Sequence, residues 1–204
     1  MKLNNDFNHS PVRLYGLPFA GGNGYSYRDF QTSLDHSIEL ITLELPGHGR
    51  KIQQTLLTNA EQAIDVIFDE IKASLDEKPY AIYGHSMGAL LTYLLAKKII
   101  VSNHRHPLHL FISGRKAPSS PKPTILKHQL PKQAFINYLK KLGGVPKEVL
   151  ASPELLDFFE PILRADFELI ECYQYQKMSH PFEIPLTVLY GTEDLSVKQN
   201  HYHD

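Results

Sequence analysis

The chain has 204 residues, a formal net charge of -1 and a pI near 6.8, which suits one α/β domain with a sizeable core and not two. The balanced charge gives no electrostatic argument for binding nucleic acid or an anionic membrane. We find no apolar stretch that would act as a signal peptide or membrane span, and a single cysteine, Cys172, excludes an internal disulfide framework. We therefore expect a cytoplasmic protein, and we expect it to be a monomer.

Short apolar runs alternate with segments of helical periodicity, which is typical of parallel βαβ winding. Strands are predicted at 12–17, 39–43, 80–83, 108–113 and 186–190. Between the second and third, Thr58 and Glu61 match a capping box, and the apolar residues that follow recur at helical spacing. The almost wholly apolar run 89–101 predicts a helix packed on the sheet.

The first strand leads into the sequence GLPFAGG at 16–22. Two adjacent glycines allow the backbone to turn its N–H groups into a cavity, as an oxyanion-binding loop requires. This loop can therefore supply one of two hydrogen-bond donors to a developing negative charge.

The third strand leads into a G-x-S-x-G motif that places a nucleophile at Ser86. Glycine is needed at Gly84 and Gly88 because the turn from strand to helix is too sharp for a side chain there. The same turn aims the backbone N–H of Met87 at an oxyanion, aided by the positive end of the helix. The alternative is an ordinary strand-to-helix turn in which Ser86 is only a helix cap.

A proline-rich linker at 117–123 precedes a stretch that contains no predicted strand. Helices are predicted at 131–142, 153–163 and 164–177, with Ser152 as N-cap and Pro153 as the first residue of the second. We divide the chain into a core, residues 1–117 and 181–204, and a linker with helical insertion, residues 118–180. The insertion is either a lid over the site or a set of ordinary packing helices.

Asp194 lies just beyond the last predicted strand, where an acid would orient a catalytic histidine. Aspartate is also a common turn residue, and Glu193 is a competing acid. Cys172 lies in a predicted helix among apolar residues, and we interpret it as a core thiol.

The histidines divide into several groups by sequence context. His85 precedes the nucleophile, and we expect its ring to pack or hydrogen-bond beneath the turn. The sequence HRHPLH at 104–109 could suggest a metal site, but no cysteine or acid accompanies it in sequence, which favours a solvated loop. His48 is interpreted as a structural loop residue, and Arg50 as a surface or lid contact.

Taken together, the motifs resemble the type II (external) thioesterases that accompany nonribosomal peptide and polyketide synthetases. The resemblance covers residues 11 to 197. It rests on PFAGG at 18–22, ELPGHGR at 44–50, YGHSMGA at 83–89, SGRKAP at 113–118, LGGVP at 142–146 and LRADF at 163–167. The LRADF run within a helical insertion is the most specific of these motifs.

The resemblance implies an α/β-hydrolase fold and hydrolysis of acyl thioesters on the phosphopantetheine arm of carrier proteins. By this resemblance Ser86 matches the nucleophile, Asp194 the acid, and the N–H groups of Ala20 and Met87 the oxyanion hole. It implies no cofactor and no metal, and its expected partners are acyl or peptidyl carrier domains of a synthetase.

The family's general base comes a few tens of residues after the acid, whereas this sequence has ten residues after Asp194. His201 and His203 are the histidines in that stretch. We therefore expect a fold truncated at its C-terminal end and impaired activity, because general-base assistance is worth about a hundred- to ten-thousand-fold. Two alternatives stay open: another serine carboxylesterase, or a catalytically silent carrier-protein binder.

Overall fold

The computed structural model describes residues 11–194. Within that range five strands form one fully parallel sheet in the order β2-β1-β3-β4-β5. The strands are β1 Val12–Leu17, β2 Ile38–Thr42, β3 Tyr80–His85, β4 Leu110–Ser113 and β5 Leu186–Leu189. All five coincide with predicted strands, with ends displaced by at most two residues. The predicted α/β class is confirmed.

Six α-helices connect and cover these strands within the same range. They are α1 Arg28–Ser33, α2 Ala60–Ile71, α3 Met87–Val101, α4 Lys132–Leu142, α5 Lys147–Ala151 and α6 Pro153–Cys172. The buried apolar residues of α2 and α3 pack with those of β1 and β3 in the main core. Because the strands are parallel, their carboxyl ends meet at one edge of the sheet, where ligand sites of such folds form.

The predicted capping box of α2 is wrong by one residue. The N-cap is Asn59, whose extended backbone precedes the first helical residue and whose side-chain oxygen accepts a hydrogen bond from Gln62 N–H at 2.9 Å. Asparagine caps helices at least as well as threonine, so the residue next to the predicted cap takes its place.

The two helices predicted at 153–163 and 164–177 are one helix, α6, of 20 residues. Ser152 caps it through Leu155 N–H and Pro153 opens it, as predicted. No helix-terminating signal separates Leu163 from Arg164, and the buried face continues through Phe167 and Leu169. One helix therefore presents a single apolar stripe to the rest of the protein.

The insertion has a small core of its own, formed by Phe135, Leu139, Leu163 and Phe167. Ala20, from the loop after β1, packs against it. Leu169, near the end of α6, and Tyr173, just after it, belong instead to the main core. The insertion is thus anchored at one end and rests on the loop after β1 at the other.

Among the residues described, no helix combines the length and apolar character needed to cross a membrane.

Cys172 is exposed, so its interpretation as a core thiol is wrong. Its neighbour Glu171 is buried instead, and the Glu171 carboxylate accepts hydrogen bonds from the N–H groups of Lys127 and His128 and pairs with the His128 ring. The last turn of α6 therefore points a hydrogen-bonded acid inward and the thiol outward.

Candidate active site

Ser86 occupies a single-residue turn between the end of β3 and the start of α3. Its backbone has φ 55° and ψ -109°, a conformation that residues with a side chain adopt only when the surroundings enforce it. The Ser86 N–H donates to the carbonyl oxygen of Ser113 at 2.8 Å. The strain and this anchor hold the serine at the carboxyl edge of the sheet.

Both glycines of the motif are required by packing. A Cβ on Gly84 would lie 2.0 Å from the carbonyl oxygen of Gly88, and a Cβ on Gly88 would lie 1.8 Å from the carbonyl oxygen of Leu17. These are backbone atoms, which cannot move aside as a flexible side chain can. The turn is therefore pressed directly against the end of β1.

That contact brings Met87 beside residues 18–22, which we call the glycine loop. Gly22 N–H donates to the carbonyl oxygen of Phe19 at 2.8 Å, and Gly21 N–H donates to the Asp166 carboxylate at 2.7 Å. Among residues 11–194, neither the Ala20 N–H nor the Met87 N–H donates to a protein acceptor. The two N–H groups that the family resemblance indicates for an oxyanion are therefore both without an acceptor among these residues.

His85 supports the turn from below, as expected. Its Nδ1 lies 3.0 Å from Ser113 Oγ, its ring meets the Phe19 ring edge-on, and it fills the space beside Gly114. Burial lowers the pKa of His85, and the negative charge of Asp194 opposes that effect. The ring therefore connects the loops that follow β1 and β4.

Asp194 lies in the turn after β5, with its N–H donating to the carbonyl oxygen of Gly191 at 3.1 Å. It is half-buried, whereas Glu193 is exposed. Because β5 runs parallel to β4 and β3, the turn that follows β5 lies at the same sheet edge as Ser86. This placement favours Asp194 over Glu193 as the acid of the site.

No histidine ring of residues 11–194 hydrogen-bonds the Ser86 hydroxyl. His104 pairs with Asp76 at 2.8 Å and His109 Nε2 lies 2.7 Å from Thr187 Oγ1, while His48 and His128 have acid partners elsewhere. His201 and His203 lie outside the described residues. Within the described residues, no group of three histidine, cysteine or acidic side chains is arranged to hold a metal ion.

Two buried acids of the site region lie within the motifs ELPGHGR and LRADF, but no individual role was predicted for either of them. Glu44 accepts hydrogen bonds from Gly24 N–H at 2.6 Å and from the N–H and Nε of Arg50 at 3.2 and 3.0 Å. Arg50 itself is largely exposed and is thus a surface contact. Asp166, which is fully buried, faces Gly21 and His48. A charged residue on the apolar stripe of a helix is the signal that could have identified Asp166.

A cavity of about 180 Å³ opens between α6 and the turns after β1 and β2. Its walls combine backbone and polar groups on the sheet side with apolar side chains on the insertion side. It is lined by Gly21, Asn23, His48, Gly49, Ile52, Phe158, Phe159 and Ile162.

The parallel sheet and the strained serine between the third strand and its helix define an α/β-hydrolase fold. The family model of the thioesterase domain matches residues 12–202. The gramicidin S biosynthesis protein GrsT of Aneurinibacillus migulanus is 37% identical, over 91% of this chain and 72% of the relative.

Solved structures agree with this match. ClbQ of the colibactin nonribosomal peptide and polyketide pathway superposes with a TM-score of 0.89 at 32% identity, over 94% of this chain and 80% of that one. YbtT, a type II thioesterase of the yersiniabactin pathway, gives 0.83 at 28% identity, over 98% and 80%. The chain belongs to the thioesterase family and, within it, to the type II thioesterases of nonribosomal peptide and polyketide pathways.

Proposed function

We propose that this chain hydrolyses acyl thioesters carried on the phosphopantetheine arm of carrier-protein domains, and so clears a nonribosomal peptide or polyketide synthetase of unwanted acyl groups. The observation that carries the proposal is the strained Ser86 turn, pressed against a loop whose Ala20 N–H donates to no acceptor among residues 11–194. The family membership supports the reaction class, and the pathways of the relatives support the choice of a synthetase as partner.

In this proposal Ser86 Oγ attacks the thioester carbonyl carbon. The carbonyl oxygen becomes an oxyanion that accepts hydrogen bonds from the N–H groups of Ala20 and Met87, which are fixed before the reaction begins. The carbon–sulfur bond breaks, the phosphopantetheine thiol takes up a proton, and an acyl-serine remains. Water then cleaves the acyl-serine and returns the proton to Ser86.

Asp194 is proposed to orient the histidine that takes the Ser86 proton. No histidine ring among residues 11–194 hydrogen-bonds the Ser86 hydroxyl, and we take His201 and His203, which follow Asp194 in the sequence, as the first candidates to test for this base. The chemistry needs only side chains and backbone donors of this chain, and the phosphopantetheine belongs to the carrier partner. Residues 118–180 are proposed to act as a lid, since they rest on the glycine loop.

The test is turnover of an acetyl-carrier-protein thioester, with the intact protein mass followed in parallel. We expect hydrolysis and a transient 42 Da acetyl adduct on the protein, about the mass added when a covalent acyl-enzyme forms. Ser86→Ala should abolish both, and Ser102→Ala, a serine at the other end of α3, should retain both.

The variants His201→Ala and His203→Ala identify the base if one of them removes turnover. Faster cleavage of oxygen esters than of the carrier thioester would instead indicate a carboxylesterase. Binding of the acetyl-carrier without an adduct or turnover would contradict the enzymatic proposal and indicate a binder.

A further inference from the structure

Asp166, on the insertion helix α6, connects three segments that are far apart in the chain. One oxygen, Oδ2, accepts the Gly21 N–H at 2.7 Å and lies 3.0 Å from His48 Nε2. Gly21 belongs to the glycine loop and His48 to the turn after β2. Asp166 has no exposed surface and His48 is only 4% exposed, so water cannot replace these contacts.

The hydrogen bonds of the glycine loop determine the direction of the Ala20 N–H. In a planar trans peptide unit the carbonyl of Phe19 and the N–H of Ala20 point in opposite directions. Gly22 N–H binds that carbonyl on one side, and Asp166 holds the next N–H, that of Gly21. Among the described residues, the bond to Asp166 is the hydrogen bond that joins this loop to the insertion helix, in addition to the packing of Ala20 against the insertion core.

The conformation of Gly21 suits a residue without a side chain. Its φ is 75°, which favours glycine, and a Cβ there would lie 2.8 Å from a methyl carbon of Leu163 on α6. The loop therefore lies close against the helix, and the Asp166 carboxylate takes the N–H that would otherwise be buried without a partner, at a cost of about 1–3 kcal/mol.

The charge of Asp166 is balanced where it lies. His48 Nδ1 is 3.0 Å from the carbonyl oxygen of Pro46, which only accepts, so that nitrogen carries a proton. Nε2 faces the Asp166 carboxylate, and an imidazolium satisfies both contacts. Burial would lower the pKa of His48, but the hydrogen bond and charge of Asp166 outweigh it, with smaller contributions from Pro46 and Glu44, and the pKa is raised. A neutral pair beside the glycine loop does not repel a forming oxyanion.

We propose that Asp166 is a positioning residue that sets the oxyanion-binding conformation of the glycine loop from the insertion helix, with His48 as its counter-ion. This role rests on the proposed function, because it presumes that the Ala20 N–H binds the oxyanion. In this role Asp166 acts through Gly21 and not by contact with the substrate.

The first arm of the test measures hydrogen exchange of the Gly21 amide by NMR in the full chain. Asp166→Ala removes the acceptor, and we expect Gly21 to exchange at least about tenfold faster. Asp166→Asn keeps an oxygen that can accept the Gly21 N–H, so it should retain most of the protection. Asp157→Asn, which changes an exposed acid on the same helix, is the matched control and should change nothing.

The second arm measures kcat and KM on the acetyl-carrier thioester for the same folded variants. We expect Asp166→Ala to lower kcat by about 10- to 100-fold with little change in KM, since misplacement of a donor acts on the transition state. Asp166→Asn should recover most of that loss. Two results would overturn the positioning role. One is that Asp166→Asn speeds Gly21 exchange and lowers kcat as much as Asp166→Ala does. The other is that Asp166→Ala leaves kcat unchanged.

The two arms separate this inference from the proposed function. If the unmodified chain does not turn over the thioester, the proposed function fails, and the exchange measurement still decides whether Asp166 sets the loop. Unchanged Gly21 exchange in Asp166→Ala overturns the inference even if the chain is an active thioesterase.

Discussion

The backbone N–H of Ser86 donates to the carbonyl oxygen of Ser113 at 2.8 Å, so the turn after β3 is fastened to the end of β4. Neighbouring parallel strands end side by side, and the ladder between β3 and β4 runs as far as the pairing of His85 with Ser113. The Ser86–Ser113 hydrogen bond continues this ladder by one step and holds the strained Ser86 in place.

Strain at Ser86 predicts an unusual order of stability among its variants. Ser86→Gly should be more stable than Ser86→Ala by about 1 kcal/mol, because glycine adopts a φ of 55° without steric cost. The free energy of unfolding from urea titration measures the difference. At Ser102, where φ is -86°, the alanine variant should instead be more stable than the glycine variant by about 0.5 kcal/mol. Equal stability of the two Ser86 variants would mean that the turn relaxes.

The packing of Gly88 against β1 predicts that even a methyl group is not tolerated. Gly88→Ala should lower the free energy of unfolding by about 3 kcal/mol or more, because its Cβ meets the backbone of Leu17. Gly191→Ala is the matched control. Its Cβ would lie 3.8 Å from the nearest atom, an ordinary contact, so the change should stay within about 0.5 kcal/mol. Urea titration of both variants checks the prediction.

The buried carboxylate of Glu44 predicts a loss of stability in acid. Burial alone would raise its pKa, but the N–H groups of Gly24 and Arg50 and the Arg50 charge outweigh burial and lower it. A pKa that is lower in the folded state gives stability that is present above the ordinary value near 4.5 and is lost as the pH falls through the folded value.

Glu44→Gln should therefore cost about 2 kcal/mol at pH 7, and its difference from the unmodified chain should shrink below about pH 4.5. The measurement is the free energy of unfolding of both proteins at a series of pH values from about 3 to about 7. Glu39→Gln, a change at an exposed acid, should have an effect below about 0.5 kcal/mol. A difference that stays constant with pH would contradict the prediction.

The exposure of Cys172 predicts rapid reaction with Ellman's reagent under native conditions. The sequence has one cysteine, so the reaction should release one equivalent of the reagent's thiolate per chain. The Cys172→Ser variant should release none. A thiol that reacts only after urea is added would instead indicate burial. The absorbance of the released thiolate measures both.

The sheet and the Ser86 turn were predictable because their signals are local. Apolar runs of strand length, the two glycines of the motif and the apolar helix after it each lie within about twenty residues, and each specifies its own conformation. The cap at Asn59 departed from prediction because Thr58 and Asn59 are neighbours that cap at similar cost, and only the packed structure decides between them. The single helix α6 departed from prediction because no helix-terminating signal separates Leu163 from Arg164.

The links between segments could not be derived from the sequence. Nothing local to His48 or Asp166 indicates that they meet, since 118 residues separate them. The inward turn of Glu171 and the outward turn of Cys172 likewise depend on where residues 127–129 lie against α6. The predicted domain limits at 117 and 181 and the site roles of Ser86, Asp194, Ala20 and Met87 stay predictions.

The bond between Gly21 and Asp166 also has a consequence for biosynthesis. These residues are 145 positions apart, so at about 5–20 residues per second the ribosome delivers Asp166 roughly 7 to 30 s after Gly21. During that interval β1, β2 and β3 can be translated and paired while the glycine loop has no acceptor for its N–H. The sheet can thus assemble on the nascent chain early, but this loop takes its final shape only once α6 has left the exit tunnel.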